Sequence, residues 1–357
     1  MSRIVKLSGL VDVHVHLREP GLEHKEDFST GTKAAIAGGY TTVLDMPNNP
    51  RPVIDLNTLL EKIEIAEGRI YSDLGFHFGG SKSAIQFFKD VETQAFGLKI
   101  YMNQTTGPLL IENDQELDEI FSAWSKDKVV MVHAEGETLT KAINLAKKHK
   151  NKLHVCHVSL GSEIDQIKKA KKEGMDITCE VSCHHLFLTT EDTKRLGAFV
   201  IMTPPLRSKK DVEYIWKNLD VLDMIASDHA PHTLEEKKNS QKPPFGVPGL
   251  ETSLPLMLNA VNEKRLSLER MVELMSTNPR KLFGLSSSEV GEQTYIEVDL
   301  EKEWTIKNED LFTKAGWSPF DGMKVKGRLK KVILRGRLVY HDEHIFGPFG
   351  QVIFPNS

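Results

Sequence analysis

The sequence predicts an α/β protein: a (β/α)8, TIM-type barrel with a small C-terminal β appendage. Two observations predict the barrel. Eight short strand-like runs alternate with longer amphipathic stretches, as serial βα units do. No Gly-rich phosphate loop follows the first run, which argues against the alternative of a doubly wound open sheet. A third predicts the appendage: beyond "STNPRKLFGL" the pattern turns to β-type segments with turns between them.

The eight strand candidates are "VDVHVH" (11–16), "TTVLDMP" (41–47), "DLGFHFGG" (73–80), "FGLKIYM" (96–102), "VVMVHAE" (129–135), "KLHVCHVS" (152–159), "DITCEVSCHH" (176–185) and "DMIASDHAP" (223–231). Each is rich in Val, Ile or aromatic residues and ends in polar or Gly/Pro punctuation. Between them, stretches such as "LNTLLEKIEIAEG", "ELDEIFSAWSKD" and "GSEIDQIKKAKKEG" carry apolar residues at helical spacing. "QKPPFGVPG" (241–249) reads as a Pro/Gly loop after strand eight. The expected organisation is an N-terminal strand segment of the appendage at 1–10, the barrel at 11–288, and the appendage at 289–357.

The 357 residues carry a formal charge of −4, mixed along the chain, and no long basic block. Nucleic acid is therefore a poor partner. No apolar run approaches the ~20 residues of a membrane span, and residues 1–10 lack a signal-peptide core. Three irregularly spaced cysteines do not form a disulfide framework. A soluble, cytoplasmic protein with reduced thiols is expected.

In a parallel barrel, the active site forms where strands end. Strand one ends with His14 and His16, strand four contains Lys99, and strand five ends with His133. Strand six offers Cys156 and His157, strand seven Glu180 with His184 and His185, and strand eight Asp228. An HxH pair alone is weak evidence, since two satisfied interior histidines look the same. Joined to His133, His157 and Asp228 at matching strand ends, it points to a divalent metal. Lys99 either pairs with a carboxylate, faces outward, or is carbamylated into a bridging ligand; spacing leaves these readings open. Asp228 can ligate a metal, accept a proton from water, or cap a loop. Arg18 should face the same mouth, where a guanidinium suits a carboxylate-bearing substrate. Asn48 and His232 can bind the same group, although a turn residue explains Asn48 equally well. Asp12 is expected to share the histidines' face, deeper in the barrel, as a structural hydrogen-bond partner.

In order along the chain, "DVHVHLREPG", "GLKIYMN", "HAE", "CHV", "CEV", "HHLFL", "SDHAPHTLEEK", "PGLET", "EVDLEKEWTI" and "VKGRLKKVILRG" resemble the dihydroorotases of the amidohydrolase superfamily. The likeness covers nearly the whole chain and is strongest to the dihydroorotase domain of the animal multifunctional pyrimidine-synthesis protein. It implies that His14, His16 and Asp228 hold one zinc, His133 and His157 a second, and carboxylated Lys99 bridges both. It allows a third zinc at Cys156 and Glu180, with His133 offering its second ring nitrogen. Arg18, Asn48 and His232 would grip the substrate carboxylate, with Phe245 and Gly246 also lining the substrate site. Thr203 stands where bacterial members usually carry Asn and the animal domain Arg. Thr105 and Thr106 would close over substrate, Thr106 replacing a Phe of the animal loop.

The reaction implied is reversible cyclisation of N-carbamoyl-L-aspartate to L-dihydroorotate plus water, in pyrimidine biosynthesis. A hydroxide bridging the metals would be the nucleophile and Asp228 the general acid/base. A homodimer and an association with aspartate transcarbamoylase are further implications. Two rivals remain at this level. One is a related cyclic amidase, such as a dihydropyrimidinase, hydantoinase or allantoinase, whose substrates lack the ring carboxylate that Arg18 would read. The other is an inactive scaffold for aspartate transcarbamoylase, and such chains typically lose metal ligands that are all present here.

Overall fold

A computed structural model describes residues 2–285 and 293–355. The expected boundary between barrel and appendage, 288/289, lies outside the described residues.

The chain opens with β1 (Ile4–Ser8) and then enters the barrel through β2 (Leu10–Val15), β3 (Tyr40–Asp45), β4 (Asp73–Phe76), β5 (Phe78–Gly79), β6 (Gly97–Tyr101), β7 (Val129–His133), β8 (Lys152–Val155), β9 (Ile177–Val181) and β10 (Met224–Ile225). All pairings among them are parallel, in the orders β2-β3-β4 and β5-β6-β7-β8-β9-β10. β4 and β5 are one barrel strand interrupted at His77. Closure comes where the chain after β10 meets the end of β2: His16 N donates to His229 O at 2.8 Å, beside a Val15–His229 bridge. A cycle of eight strands results, each nearly apolar because helices cover one face and side chains fill the other. Val11, Val13, Leu44, Met131 and Met224 belong to one buried cluster, with Phe283 and Phe96. A larger cluster includes Val43, Leu98, Val130 and Val155 together with helix residues such as Leu59, Ile120 and Ile164.

The helices begin where the sequence supplies caps. Asp27 accepts from Thr30 N at 2.8 Å ahead of Phe28–Ala37, and Asp55 from Thr58 N at 2.7 Å ahead of Leu56–Ala66. Among the described residues, no helix is long and apolar enough to cross a membrane.

Two strands are shorter than expected, and both differences serve the site. The seventh stops at Val181, and Cys183–Phe187 forms a short helix rather than extending the strand to 185. The eighth pairs over only two residues, because the chain turns at Asp228, whose φ is 48°. Alternation in the first strand is also interrupted. Asp12 pairs with Val43 and Val15 with Asp45, so three steps along β2 oppose two along β3. This bulge changes the phase of the strand just before its histidines. Simple alternation therefore does not fix Asp12 on their face. Asp12 instead accepts from His14 N and Ser227 N, both at 3.0 Å, tying β2 to the segment after β10.

A second sheet, antiparallel, runs β1–β11–β12–β13–β14, with β11 (Tyr295–Thr305), β12 (Lys324–Leu334), β13 (Arg337–His341) and β14 (His344–Ile345). It packs on the barrel through β12 and helix Leu250–Asn262. Gly327 makes this approach possible: its φ is 114°, and a Cβ there would lie 2.4 Å from Leu258 Cβ.

Candidate metal centre and substrate pocket

The imidazoles of His14 and His16 lie at and just beyond the end of β2, with ring centroids 5.3 Å apart. Both reach Asp228: His14 Nε2 is 3.4 Å and His16 Nε2 3.2 Å from Oδ1. These three donors lie within 4.8 Å of one another, close enough to share an ion. His133 and His157 form the adjacent pair, Nδ1 to Nε2 at 2.8 Å. The remaining nitrogens, His133 Nε2 and His157 Nδ1, are buried without a hydrogen-bond partner. Buried unsatisfied polar atoms cost about 1–3 kcal/mol each, which a bound cation would offset. The donor set fits a metal on this ground.

Lys99 is 0% exposed on β6, and its Nζ lies 2.9 Å from Cys156 Sγ. It neither faces outward nor has an ion-pair partner among the described residues. An ammonium so placed is costly, and a carbamate at that nitrogen would become a carboxylate donor instead.

The structure brings His14, rather than His133, beside Cys156 and Glu180, all within 4.8 Å. The reason is geometric: His133 turns Nδ1 to His157, whereas His14 points Nδ1 at Glu180 Oε1 and Nε2 at Asp228. Glu180 is held from behind by His154, whose Nε2 is 3.0 Å from Oε2. His154 was missed in the sequence; its spacing of two from Cys156 on the same strand was the available signal.

Charge in the cluster is divided by environment. Burial drives His16 down to about 4 and His133 to about 3, and pushes His157 well below its usual range. These rings stay neutral, as ligands must. Burial and Lys99 oppose protonation of His14, yet Glu180, Asp228 and Cys156 together raise it to about 10. Burial would raise the Asp228 carboxyl, but His14, His16 and His157 hold it well below the carboxylate range. Asp228 is thus ionised at neutral pH.

Above this cluster lies a pocket lined by His16, Arg18, Asn48, Thr105, Thr106, His184, Met202, Thr203, Asp228, Phe245 and Gly246, among others. Arg18 sits in the left-handed region at φ 69°, as His157 does at 34°. Such strain is typical of sites where side-chain aim is over-determined. Arg18 Nε donates to Pro231 O at 3.0 Å, and Nη2 lies 3.1 Å from His232 Nε2. His232 is completely buried behind Arg18, with Lys25 Nζ 3.1 Å from Nδ1 and Phe245 O 2.8 Å from Nε2. Asn48 spans the site, Oδ1 2.7 Å from His16 Nδ1 and Nδ2 donating to Thr106 O at 3.0 Å. His184 joins the wall from the short helix that ended strand seven, a placement strand spacing would not give.

The amidohydrolase family model matches residues 5–339, almost the entire chain. The chain belongs to the amidohydrolase family. It is 45% identical over 351 residues to the multifunctional protein CAD of Squalus acanthias, covering 98% of this chain and 15% of that protein. It is 40% identical over 367 residues to the dihydroorotase of Pyrococcus abyssi, covering 97% and 86%. Among solved structures, an L-hydantoinase (dihydropyrimidinase) from Arthrobacter aurescens superposes with a TM-score of 0.93 at 30% identity, covering 99% and 89%. An inactive dihydroorotase-like domain of the Chaetomium thermophilum CAD-like multifunctional protein shares the fold, with a TM-score of 0.82 at 24% identity over 98% and 99%. All three cysteines are buried and free.

Proposed function

We propose that this chain is a zinc-dependent dihydroorotase, interconverting N-carbamoyl-L-aspartate and L-dihydroorotate plus water. The observation that carries the reading is that Arg18 shares one pocket with His16 and Asp228, two members of the His14–His16–Asp228 donor group. Curated relatives at 34–45% identity, called dihydroorotase or multifunctional protein, support it. The hydantoinase-like fold alone does not discriminate; Arg18 does, because hydantoin and dihydrouracil present no carboxylate to it.

His14, His16 and Asp228 would hold one zinc, His133 and His157 a second, with carboxylated Lys99 between them. Cys156 and Glu180 would hold a third, with the second ring nitrogen of His133. When bound, zinc acts as a Lewis acid on the amide carbonyl and brings the pKa of water to near neutrality.

The chain's own residues do the rest. Arg18 and Asn48 take the substrate carboxylate, and His232, buried behind the guanidinium, fixes its orientation. Thr105 and Thr106 close over the ring, which packs near Phe245 and Gly246. In hydrolysis, the ring C–N bond breaks as water adds to the carbonyl carbon. Asp228, ionised beside its histidines, takes the water proton and delivers it to the departing nitrogen. In cyclisation, Asp228 removes the ureido proton as that nitrogen attacks the side-chain carboxyl, and water leaves. The same reading includes a cytoplasmic homodimer associated with aspartate transcarbamoylase; a relative that is one multifunctional polypeptide supports such an association.

The test is turnover of dihydroorotate, dihydrouracil, hydantoin and allantoin on one preparation, with zinc counted per chain. Turnover of dihydroorotate alone, with two or three zincs, is expected. Preference for an uncharged ring would assign the chain to the cyclic amidases, and a zinc-free, inert protein would make it a scaffold.

A further inference from the structure

Arg18 and Asn48 lie beyond the ends of different strands, β2 and β3, so the parallel ladder does not itself fix their separation. A buried ion pair lies behind both. Lys62, from helix Leu56–Ala66, is 1% exposed, and its Nζ is 2.6 Å from Asp45 Oδ2. The same Nζ donates to Met46 O at 2.9 Å and to Asn49 Oδ1 at 2.8 Å. These two acceptors flank Asn48. Asp45 Oδ1 accepts from Leu17 N at 2.7 Å, and Asn49 Nδ2 donates to Pro20 O at 3.1 Å. These two contacts flank Arg18. One ammonium thus ties together both sides of both substrate-reading segments.

We infer that the Lys62–Asp45 pair is a positioning device: it sets the spacing between Arg18 and Asn48, and thereby the affinity for a carboxylate-bearing substrate. The inference rests on the reading above that these two side chains grip the carboxylate. Neither Lys62 nor Asp45 lines the pocket. Stability does not explain the pair, because a buried ion pair replaced as a unit by neutral residues is often no less stable. What a neutral replacement loses is the fixed set of directions from the pair to its three partners, Met46 O, Asn49 Oδ1 and Leu17 N.

The decisive variant is Lys62→Met/Asp45→Asn, which removes both charges and leaves neither uncompensated. Zinc per chain and kcat for dihydroorotate should stay within about threefold of the parent, while KM rises about tenfold or more, as expected for loss of ground-state positioning. In an Arg18→Met background the same double change should alter KM by less than about threefold, since the pair acts through Arg18. A lowered Tm with unchanged KM overturns the inference, as does a loss of zinc that accounts for the lost activity. If Arg18→Met itself leaves KM unchanged, the carboxylate reading fails. A normal Arg18 effect beside an unchanged KM in the double variant refutes the positioning role alone. Should the double variant not fold, Asn49→Leu cuts the tether to Pro20 and leaves the ion pair. A raised KM at steady kcat then supports the inference, and an unchanged KM overturns it.

Discussion

On the proposed reading, replacing Arg18 with Met removes the group that reads the substrate carboxylate, and the structure sets the size of the effect. A guanidinium has five N–H donors. Here Nε is committed to Pro231 O, while His232 Nε2 beside Nη2 gives its own N–H to Phe245 O, so four donors remain for substrate. Arg18 is buried, so a carboxylate bound there is shielded from water and charge-assisted hydrogen bonds act at full strength. Hydrogen bonds to charged groups contribute about 1.5–3 kcal/mol, or roughly 10- to 150-fold in kcat/KM. Met keeps the side-chain stem and its packing. The assay is steady-state hydrolysis of dihydroorotate, with zinc counted on the same sample and dihydrouracil run beside it. Loss of dihydroorotate kcat/KM in that range, at unchanged zinc, is expected. A loss below about threefold would show that the carboxylate is read elsewhere, and the argument from Arg18 would collapse.

Asp228→Asn should keep most of its zinc and lose at least about a hundredfold in kcat, the low end of what a positioned general base contributes; near-normal turnover in both directions would remove Asp228 from proton transfer. The Thr105→Ala/Thr106→Ala double variant should lower kcat/KM by about tenfold through loss of the loop's contacts with substrate; unchanged turnover would rule out closure by these hydroxyls. Chelation should abolish activity, lower Tm and allow rescue by zinc, because a ligand held only by the folded state stabilises it. Stability of the zinc-free protein should then fall with acid. Burial holds His133 at about 3 and His184 at about 4, against an ordinary 6.5, so the unfolded chain binds more protons. Their contribution is complete above pH 6.5 and is lost as pH falls through those folded values. The loss is on the order of 3 kcal/mol for His184 alone, at about 1.4 kcal/mol per pKa unit. His14, raised to about 10, contributes fully below 6.5 and does not reverse this trend. Thermal melts from pH 7 to 4 that show no decline would contradict it.

Much of the site was legible in the sequence because a parallel barrel converts strand ends into one ring. Reading His14, His16, Lys99, His133, His157 and Asp228 at the ends of successive apolar runs is enough to bring them to one mouth. Lys99 lies on β6 and His133 at the end of β7, where strand geometry holds. Where the backbone departs from it, the sequence named residues without giving their local direction. Residues placed by left-handed turns, Arg18, His157 and Asp228, follow no period-two rule. The bulge in β2 breaks alternation between Asp12 and Val15, and the early end of β9 carries His184 to the pocket on a helix.

By itself, then, the sequence determined the eight-fold alternation, the apolar strands and the chemical types gathered at their ends. Those depend on local pattern and on a topology that local pattern selects. Only the tertiary structure decided which nitrogen of which histidine faces which partner: His14 rather than His133 toward Cys156 and Glu180, and His232 behind Arg18 rather than on the wall. It alone disclosed that Lys62, one polar residue among many on an amphipathic helix, is buried against Asp45. Side-chain direction and burial at such points are set by contacts between residues far apart in the chain, and no spacing along it encodes them.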